Sequence, residues 1–271
     1  MKDNFAKINL HTHTFRCKHA TGEARDYAKK ASEVGITLLG FSDHTPLPDG
    51  RWSSIRMDMS ELESYSTAVD QAAIEFPELT VLKGLEVEYI PDFQGFFRDK
   101  ILGEGGVDFL TGGIHFFLHK GEWKSVVSQI TNSSELSAYT DFFIKSMESG
   151  LFLYMAHPDF FRLSYPTWDS HAQSCCRAIC QAASELNVPL EINANGFRQL
   201  PIIMGSEECA PYPWLPFWQV ASEYQLSISV GSDAHHPDCL RDKSMEMAQE
   251  MAGRLFPSRE HFAWMETLMD R

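Results

Sequence analysis

Apolar runs of strand length alternate along the whole chain with stretches of helical periodicity. The strand-like runs are short, and most are continuously apolar, as expected where both faces of a strand are buried. Seven strands are predicted, over residues 6–10, 36–41, 79–89, 107–117, 151–156, 188–193 and 226–230. Six helices are predicted, over residues 23–34, 60–76, 133–149, 168–186, 213–224 and 238–251.

Helix-end signals support these boundaries. Gly35 and Gly150 follow two of the helical stretches, Pro77 follows a third, and Ser60 with Glu63 has the spacing of a capping box. A strand followed by a helix, repeated along the chain, indicates a parallel sheet. An open doubly wound sheet would gather its site near one switch point, whereas polar residues follow nearly every strand in this chain. We therefore predict an α/β barrel formed by residues 1–271 as a single domain.

Histidines and acids lie where the predicted strands end. The set comprises His11, His13, His19, His44, Glu86, His115, His157, Asp233 and His235. Because βα folds build their active sites at the carboxyl ends of strands, we expect these side chains to converge. Nine ligands exceed what a single metal needs, so two or three divalent ions are predicted. Imidazole and carboxylate without thiolate suit catalytic zinc, with iron or manganese as alternatives.

The spacing within this set carries chemical information. In a strand, His11 and His13 point to one face, and Asp233 and His235 repeat the same spacing. A carboxylate after an apolar strand is costly unless it is paired or bound to metal, and it can bridge two ions. Glu86 is preferred for this role, although Glu88 has the same parity and stays an alternative.

Several residues near this set have two interpretations. Asp43 and Asp159 either orient ligands through hydrogen bonds or cap local structure. Cys17 lies in the first ligand loop and is either a free thiol or a further ligand. The remaining histidines are expected in ordinary surface or loop roles: His119, His171, His236 and His261. The loops at 45–54 and 209–217, rich in proline and aromatic residues, are predicted to face the substrate.

Composition narrows the function classes. The formal net charge is −14, which argues against a nucleic-acid partner, although bound cations would still accept an anionic substrate. We expect no membrane span and no secretory signal, since the start runs directly into the first strand. The six cysteines form no C-x-x-C pair and read as free thiols, so a cytoplasmic location is predicted.

These motifs together resemble the polymerase-and-histidinol-phosphatase (PHP) superfamily, and within it the monofunctional histidinol-phosphatases. The resemblance is carried by N-L-H-T-H-T-F-R-C-K-H, F-S-D-H-T-P-L, G-L-E-V-E-Y, G-G-I-H-F, A-H-P-D-F-F, L-E-I-N-A-N-G-F-R and V-G-S-D-A-H. It implies a distorted, TIM-like (β/α)7 barrel with a trinuclear metal centre at the C-terminal ends of the strands. One departure is A-N-G at 194–196, where close relatives often carry a T-S-G-like run.

The resemblance also implies a ligand set for each metal. One ion would take His11, His13, Glu86 and Asp233. A second would share Glu86 and add His115 and His157. A third would take His19, His44 and His235.

The implied reaction is hydrolysis of a small phosphorylated substrate, L-histidinol phosphate, by a metal-bridging hydroxide, with a role in histidine biosynthesis. Asp233 and His235 are assigned catalytic roles. Arg198 is the predicted phosphate clamp, since guanidinium matches phosphate bidentately, and Arg16 and Arg56 are weaker candidates. Glu191 and Asn193 share one strand face and are predicted to contact the rest of the substrate. Predicted pocket walls, with core packing as the alternative for each, are Trp52, Phe117, Phe160 and Phe161.

Three other functions stay open on the sequence. The first is a PHP-type phosphoesterase acting on another phosphate ester, a nucleotide or an oligonucleotide end. The second is a noncatalytic metal-binding module, which the complete ligand set disfavours. The third is hydrolysis of C–N bonds on a similar barrel, which usually adds a bridging lysine that no strand end supplies here. The motifs leave the oligomeric state undetermined.

Overall fold

The computed structural model of the chain describes residues 7–204 and 207–268. Eleven strands in these residues, numbered β1 to β11 in chain order, span Ile8–Asn9, Leu38–His44, Thr80–Val87, Phe109–Gly112, Phe116–His119, Glu122–Ser125, Tyr154–Met155, Leu190–Asn193, Ile202–Met204, Glu207–Cys209 and Ile228–Gly231. Helices α1 to α7 span Ala24–Glu33, Leu62–Glu75, Ser133–Glu148, Ser170–Leu186, Leu215–Ala221, Lys243–Leu255 and Ala263–Glu266. A π-helical segment covers Phe96–Glu104.

Seven parallel strands form the central sheet, in the order β1-β2-β3-β4-β7-β8-β11. This order follows the chain, so each strand is added beside its predecessor and the sheet curls into a barrel. Thr12 and Ala234, just beyond the first and last strands, form a parallel bridge. The amide of His13 donates to the carbonyl of Ala234 at 2.9 Å. The sheet is therefore nearly closed into a barrel, and the bridge lies at the carboxyl ends of the strands.

Buried apolar side chains explain why the strands lie inside and the helices outside. All seven residues of β2 are buried. In α4 the buried positions recur at helical spacing on one face, which packs toward the sheet: Ala172, Cys175, Cys176, Ile179, Cys180 and Ala183. Asp169 caps this helix by accepting from the amides of His171 and Ala172. The three cysteines of α4 are thus small core residues, as predicted.

The predicted alternation of strands and helices is confirmed, but several boundaries were wrong. The predicted strand 107–117 ends at Gly112, and Phe116 begins an antiparallel hairpin of β5 and β6. Helix α6 begins at Lys243 rather than 238, because the preceding residues form a 3-10 turn and Asp242 caps the helix. The predicted helix 213–224 is shorter, at Leu215–Ala221.

Two further local predictions changed. The capping box near the start of α2 uses Asp58 and Glu61, two residues before the predicted pair. The hairpin of β9 and β10 was not predicted, although the sequence between its strands, Gly-Ser, is a two-residue hairpin signal. The first predicted strand begins at Ala6, which lies outside the described residues. Among the helices that the structure describes, none has the length and apolar character to span a membrane.

Candidate metal centre

Each of the nine predicted ligands lies at or just beyond the carboxyl end of a barrel strand. His44 is the last residue of β2, Glu86 is next to last in β3, and the other seven lie in the following loops. The set forms one cluster, in which most of the imidazole and carboxylate groups are buried. His19, His115 and His235 lie on the more open side.

The carboxylate of Glu86 lies at the centre of this cluster. Its Oε2 is 3.6 Å from Nε2 of His11, 3.6 Å from Nε2 of His13 and 3.1 Å from Nδ1 of His44. Its Oε1 is 3.0 Å from Nε2 of His157 and 3.7 Å from Nε2 of His115. The two oxygens thus face two different groups of imidazoles. This is the arrangement that a carboxylate needs to bridge two cations.

Asp233 approaches the same histidine pair. Its Oδ1 is 3.6 Å from Nε2 of His11, 3.2 Å from Nε2 of His13 and 3.4 Å from Nδ1 of His235. His235 stacks on His13 at 4.4 Å between ring centroids and on His19 at 4.7 Å. Glu86 and Asp233 therefore both face the Nε2 atoms of His11 and His13.

Three buried carboxylates support imidazoles from behind. Glu191 Oε1 lies 2.9 Å from Nδ1 of His11, and Glu88 Oε1 lies 2.7 Å from Nδ1 of His115. Asp43 Oδ1 lies 3.6 Å from Nδ1 of His13. A carboxylate on one ring nitrogen directs the other nitrogen toward a metal. Glu88 therefore occupies a supporting position behind His115, whereas Glu86 faces the centre of the cluster.

The donor set fits divalent cations. Buried nitrogens of the cluster without a hydrogen-bond partner in the described structure are His11 Nε2, His13 Nδ1, His13 Nε2 and His235 Nε2. Unpaired buried polar atoms are costly, and bound cations would satisfy the Nε2 atoms of His11, His13 and His235, whereas Nδ1 of His13 faces Asp43. Triads whose donor atoms lie within 4.8 Å of one another include His11–His13–Asp233, His44–Glu86–His115 and His13–His44–His235.

Cys17 lies close to this cluster, within a triad that also contains His19 and His235. Burial raises the pKa of its thiol to about 12, and the negative charge of Asp43 adds to the effect. Cys17 is therefore a buried neutral thiol beside the proposed ligands in the metal-free protein, and a ligand role for it stays a prediction.

The backbone around the ligands is locally strained. His157 has φ 31° and Asp233 has φ 46°, in the left-handed region that side chains other than glycine seldom adopt. Such strain persists where surrounding structure holds it, and it collects at functional sites. Glycine is required nearby, because a Cβ at Gly113 would overlap the Glu86 carboxylate and one at Gly231 would overlap that of Glu191.

The electrostatics divide the histidines into two groups. Burial alone lowers the pKa of His13, but Asp233 and Asp43 outweigh it and raise that pKa to about 9. Burial also opposes the rise at His11, where Glu191 and Asp233 raise the pKa well above its usual value. By contrast, burial lowers the pKa of His235 to about 3, and the charge of His13 adds to the effect.

The predicted substrate residues have other partners. Glu191 and Asn193 are fully buried; the amide of Asn193 donates to Glu191 at 2.8 Å and to Asp233 at 3.2 Å. They lie behind the ligands and not in the cavity lining. These hydrogen bonds support His11 and Asp233, and the role of Glu191 and Asn193 as substrate contacts stays a prediction.

The three predicted arginines are also engaged elsewhere. Arg198 binds Asp242 at 2.7 Å and donates to the carbonyl oxygen of Ser232 at 2.5 Å. Arg16 donates to Glu23 at 2.6 Å. Arg56 donates to the carbonyl oxygen of Thr45 at 3.0 Å and lies 3.6 Å from Glu88. None of the three lines the cavity, so the contacts do not support a phosphate clamp, and that role stays a prediction.

A cavity of about 660 Å³ opens above the cluster. Its lining includes seven proposed ligands: His19, His44, Glu86, His115, His157, Asp233 and His235. Its outer part is largely apolar and contains Ile55, Phe116, Val127, Phe160, Leu163, Leu200, Pro211 and Tyr212. Ser125, Asn195 and Gln199 supply neutral polar groups.

The aromatic and loop predictions had mixed outcomes. Phe160 lines the cavity, whereas Phe117 and Phe161 are fully buried in the core. Trp52 stacks on Phe116 at 4.1 Å, behind the wall. The loop 209–217 contributes Pro211 and Tyr212 to the lining, but residues 45–54 contribute none.

Sequence reasoning assigned no role to Tyr212, Asn195 or Gln199. The available signals were the position of Tyr212 in an aromatic loop and the resemblance around A-N-G. Asp159 had been given a supporting or capping role. It accepts from the amide of Trp214 and, at 2.9 Å, from the indole of Trp218, so it fastens the loop that contains Tyr212.

Comparison with known proteins agrees with this architecture. The model of the PHP domain family matches residues 9–195. A protein of Deinococcus radiodurans named "Probable histidinol-phosphatase" is 29% identical over 238 residues, 84% of this chain and 85% of the relative. A "Probable phosphatase" of Tolumonas auensis is 26% identical over 248 residues, 89% of this chain and 83% of the relative.

A solved structure has the same fold. Histidinol phosphate phosphatase from Lactococcus lactis subsp. lactis, complexed with zinc, L-histidinol and phosphate, superposes with a TM-score of 0.70. The match covers 95% of this chain and 94% of that protein at 16% identity. At 16% identity this structural comparison establishes only the shared barrel. Membership of the family rests on the sequence match over residues 9–195.

Proposed function

This chain belongs to the PHP domain family, and from that premise we propose that it is a metal-dependent phosphomonoester hydrolase that converts L-histidinol phosphate to L-histidinol and inorganic phosphate. The observation that carries the proposal is the shared carboxylate of Glu86, whose two oxygens face separate groups of imidazoles. Residues 1–271 are proposed to form one domain of this type.

The proposed ligand sets are those that the family resemblance implies, and the contacts of Glu86 and Asp233 support the first of them. His11, His13, Glu86 and Asp233 would hold one cation, and Glu86 with His115 and His157 a second. His19, His44 and His235 would hold a third. Zinc is the first choice, with iron or manganese as alternatives. When bound, such cations lower the pKa of water and neutralise charge on phosphoryl oxygens.

The protein's own residues supply orientation. Glu191, Asp43 and Glu88 support the rings of His11, His13 and His115, so that their free nitrogens meet at the cluster. The strained backbone at Asp233 points its carboxylate back toward the first histidine pair. Because phosphoryl transfer depends mainly on positioning and charge, this prearrangement is the main contribution that the fold can make.

Three observations support histidinol phosphate as the substrate. The family match covers most of the barrel, the Deinococcus relative carries the histidinol-phosphatase name over 84% of this chain, and the cavity of about 660 Å³ has room for a small ester. A small phosphorylated metabolite fits the acidic net charge of −14 better than a polynucleotide does. A cytoplasmic location stays a prediction.

A second candidate is a phosphatase for another small ester. The distribution of acidic residues in the cavity lining favours it. Glu86 and Asp233, both in the proposed metal sites, are the acidic residues in that lining. The ammonium of histidinol would therefore meet only neutral groups such as Ser125 and Asn195. An ester of an uncharged, apolar alcohol would suit the outer wall.

The deciding experiment measures phosphate release from L-histidinol phosphate and from a panel of sugar, nucleotide and aromatic phosphomonoesters. Metal-quantified protein is compared with a chelated sample. The Asp233→Asn variant removes a proposed ligand. Asp238→Asn is the matched control, since Asp238 is exposed and pairs with Lys30 at the surface.

We expect selective, chelator-sensitive hydrolysis of histidinol phosphate that is lost in Asp233→Asn and kept in Asp238→Asn. Activity confined to other esters would retain the phosphatase and replace the substrate. Tight metal binding without turnover on the panel would favour the noncatalytic module.

A further inference from the structure

The cavity presents no cationic side chain to a phosphoryl group. Its lining, in the described residues, contains no lysine or arginine. Polar atoms that could donate a hydrogen bond from the protein are therefore few above the proposed metal sites. Tyr212 is the one aromatic residue of the lining with a donor hydroxyl.

Tyr212 lies beside the proposed ligands. It is 3% exposed and lines the cavity together with His157 and Asp233. Its ring packs edge-on against Phe160 at 5.2 Å between centroids and lies 6.4 Å from the ring of His157. Among the described residues, no hydrogen bond involves its hydroxyl, whereas the hydroxyls of Tyr139 and Tyr154 bind carbonyl oxygens. The hydroxyl is not one of the buried polar atoms that lack a partner, so it is accessible, and Tyr212 lines the cavity, where a ligand oxygen can accept a hydrogen bond from it.

Hydrogen bonds hold the segment around Tyr212 in place on both sides. On one side, Arg162 donates to the carbonyl oxygens of Ala210 at 2.6 Å and Pro211 at 3.4 Å. On the other side, Asp159 accepts from the amide of Trp214. Both anchoring residues belong to the H-P-D-F-F-R segment that begins with His157. The same short segment thus provides a proposed ligand and holds Tyr212 beside it.

A glycine on a neighbouring turn allows close packing against Tyr212. A Cβ at Gly196 would overlap the carbonyl of Tyr212, so the A-N-G turn after β8 lets the tyrosine segment approach closely. Burial raises the pKa of the Tyr212 phenol, and the negative charges of Asp233 and Asp159 add to the effect. The position of the ring is therefore set by two separate elements, residues 157–162 and the turn Ala194–Phe197, before any substrate arrives, as catalytic donors require.

We propose that Tyr212 is a further catalytic residue, whose phenolic O–H donates a hydrogen bond to a non-bridging oxygen of the phosphoryl group. This inference rests on the proposed function and names the protein group that contacts the substrate's phosphoryl oxygen. It assigns a neutral donor to the place where an arginine was expected. The donor acts on the phosphoryl group itself, so it serves any phosphomonoester that enters.

The test compares Tyr212→Phe with Tyr165→Phe. Phenylalanine keeps the ring packing against Phe160 and removes only the hydroxyl. Tyr165 is the matched control, because its hydroxyl binds Asp169 at 2.7 Å and it does not line the cavity. Metal content and the melting temperature are measured for both variants, so that loss of metal or of folding is detected separately.

Two readouts decide the outcome. In Tyr212→Phe we expect kcat/KM to fall about 10- to 100-fold, equally for L-histidinol phosphate and p-nitrophenyl phosphate, as for loss of one donor to a charged oxygen. We expect the dissociation constant of inorganic phosphate, measured by calorimetry on metal-loaded protein, to rise about tenfold. Tyr165→Phe should match the wild type in both.

The inference is overturned if metal-loaded Tyr212→Phe binds phosphate and turns over both esters like the wild type. It is also overturned if only the ester with the poorer leaving group slows while phosphate binding is unchanged, since the hydroxyl would then act on the leaving oxygen. Failure of the proposed function would look different. Wild-type protein would hydrolyse no phosphomonoester, and calorimetry would still report whether the hydroxyl contributes to phosphate binding.

Discussion

Glu88 lies directly behind His115, with its Oε1 2.7 Å from Nδ1 of the imidazole and its Oε2 3.0 Å from the backbone amide of the same residue. One carboxylate therefore holds both the ring and the main chain of a proposed ligand. Arg56 lies 3.6 Å from Glu88 and offsets its charge in a site where both side chains are buried. A carboxylate that the sequence offered as an alternative ligand is thus a support for one.

This relationship predicts the effect of Glu88→Gln. Removing the charge weakens the orientation of His115, so the affinity for the more weakly bound metal should fall about 10- to 100-fold. Competition with a metal-buffering chelator measures it. Glu63→Gln, an exposed change at the start of α2, is the control and should leave metal affinity unchanged. Equal metal affinities in Glu88→Gln and Glu63→Gln would contradict the supporting role of Glu88.

Gly113→Ala should disable the centre although it replaces no proposed ligand. The added Cβ would meet the carboxylate of Glu86, which then has to move from its place between the imidazoles. We expect loss of at least one bound metal and of activity, measured by elemental analysis and phosphate release. Gly253→Ala in α6 is the control, because a Cβ there has no neighbour within 4 Å. That control should be slightly stabilising, by about 0.5–1 kcal/mol, and a Gly113→Ala protein with full metal content would contradict the prediction.

The histidines predict how the stability of metal-free protein depends on pH. The folded-state pKa of His13 is raised to about 9 from an ordinary 6.5. Its protonation therefore stabilises the fold fully below pH 6.5, and this contribution is lost as pH rises through about 9. His235, lowered to about 3, acts in the separate window between pH 3 and 6.5, where stability falls as pH falls.

Chemical denaturation of chelated protein at pH 6.5, 7.5 and 9 tests this sign. Stability should decline across the series, and His13→Gln should flatten the decline. His171→Gln, an exposed change on α4, should keep it. Metal-loaded protein should gain stability over chelated protein as pH rises, because metal binding displaces protons from the imidazoles. A flat profile in chelated wild-type protein would refute the assignment.

Arg198 is predicted to stabilise the folded protein through its hydrogen bonds. It binds Asp242, the residue that caps α6, and the carbonyl oxygen of Ser232, which precedes the proposed ligand Asp233. Arg198→Gln should lower the free energy of unfolding by about 1.5–3 kcal/mol, as for loss of charged hydrogen bonds at a partly buried site. Urea denaturation measures this.

The matched control is Arg177→Gln, whose guanidinium pairs with Glu223 at the surface, so the substitution should leave the free energy of unfolding nearly unchanged. Phosphate affinity separates the two roles of Arg198. A phosphate clamp would weaken phosphate binding strongly with unchanged stability, and that result would restore the role predicted from the sequence.

Some features of this protein follow from local rules that the sequence states directly. Strand and helix periodicities, together with polar residues after successive strands, were enough to predict the barrel and the edge where its site lies. His11 and His13 share a face because side chains in extended chain alternate, and this needs no knowledge of the rest of the fold. Boundaries were less accurate where a turn replaced a strand, as after Gly112, or where a 3-10 turn preceded α6.

The partners of charged groups were decided only by the tertiary structure. Arg198 and Asp242 are 44 residues apart in sequence, and Glu191 and His11 are 180 apart, so no local pattern indicates that they meet. Glu86 and Glu88 have the same parity, and only packing shows that one faces the imidazole cluster while the other supports His115. Tyr212 lies at the cavity because Arg162 and Asp159 bind the residues on either side of it and Gly196 lets it approach, and these residues come together only when the barrel forms. Periodicity is a property of the backbone, so the sequence determined the architecture and the place of the site. Which polar group meets which is set by long-range burial, and only the folded chain decides it.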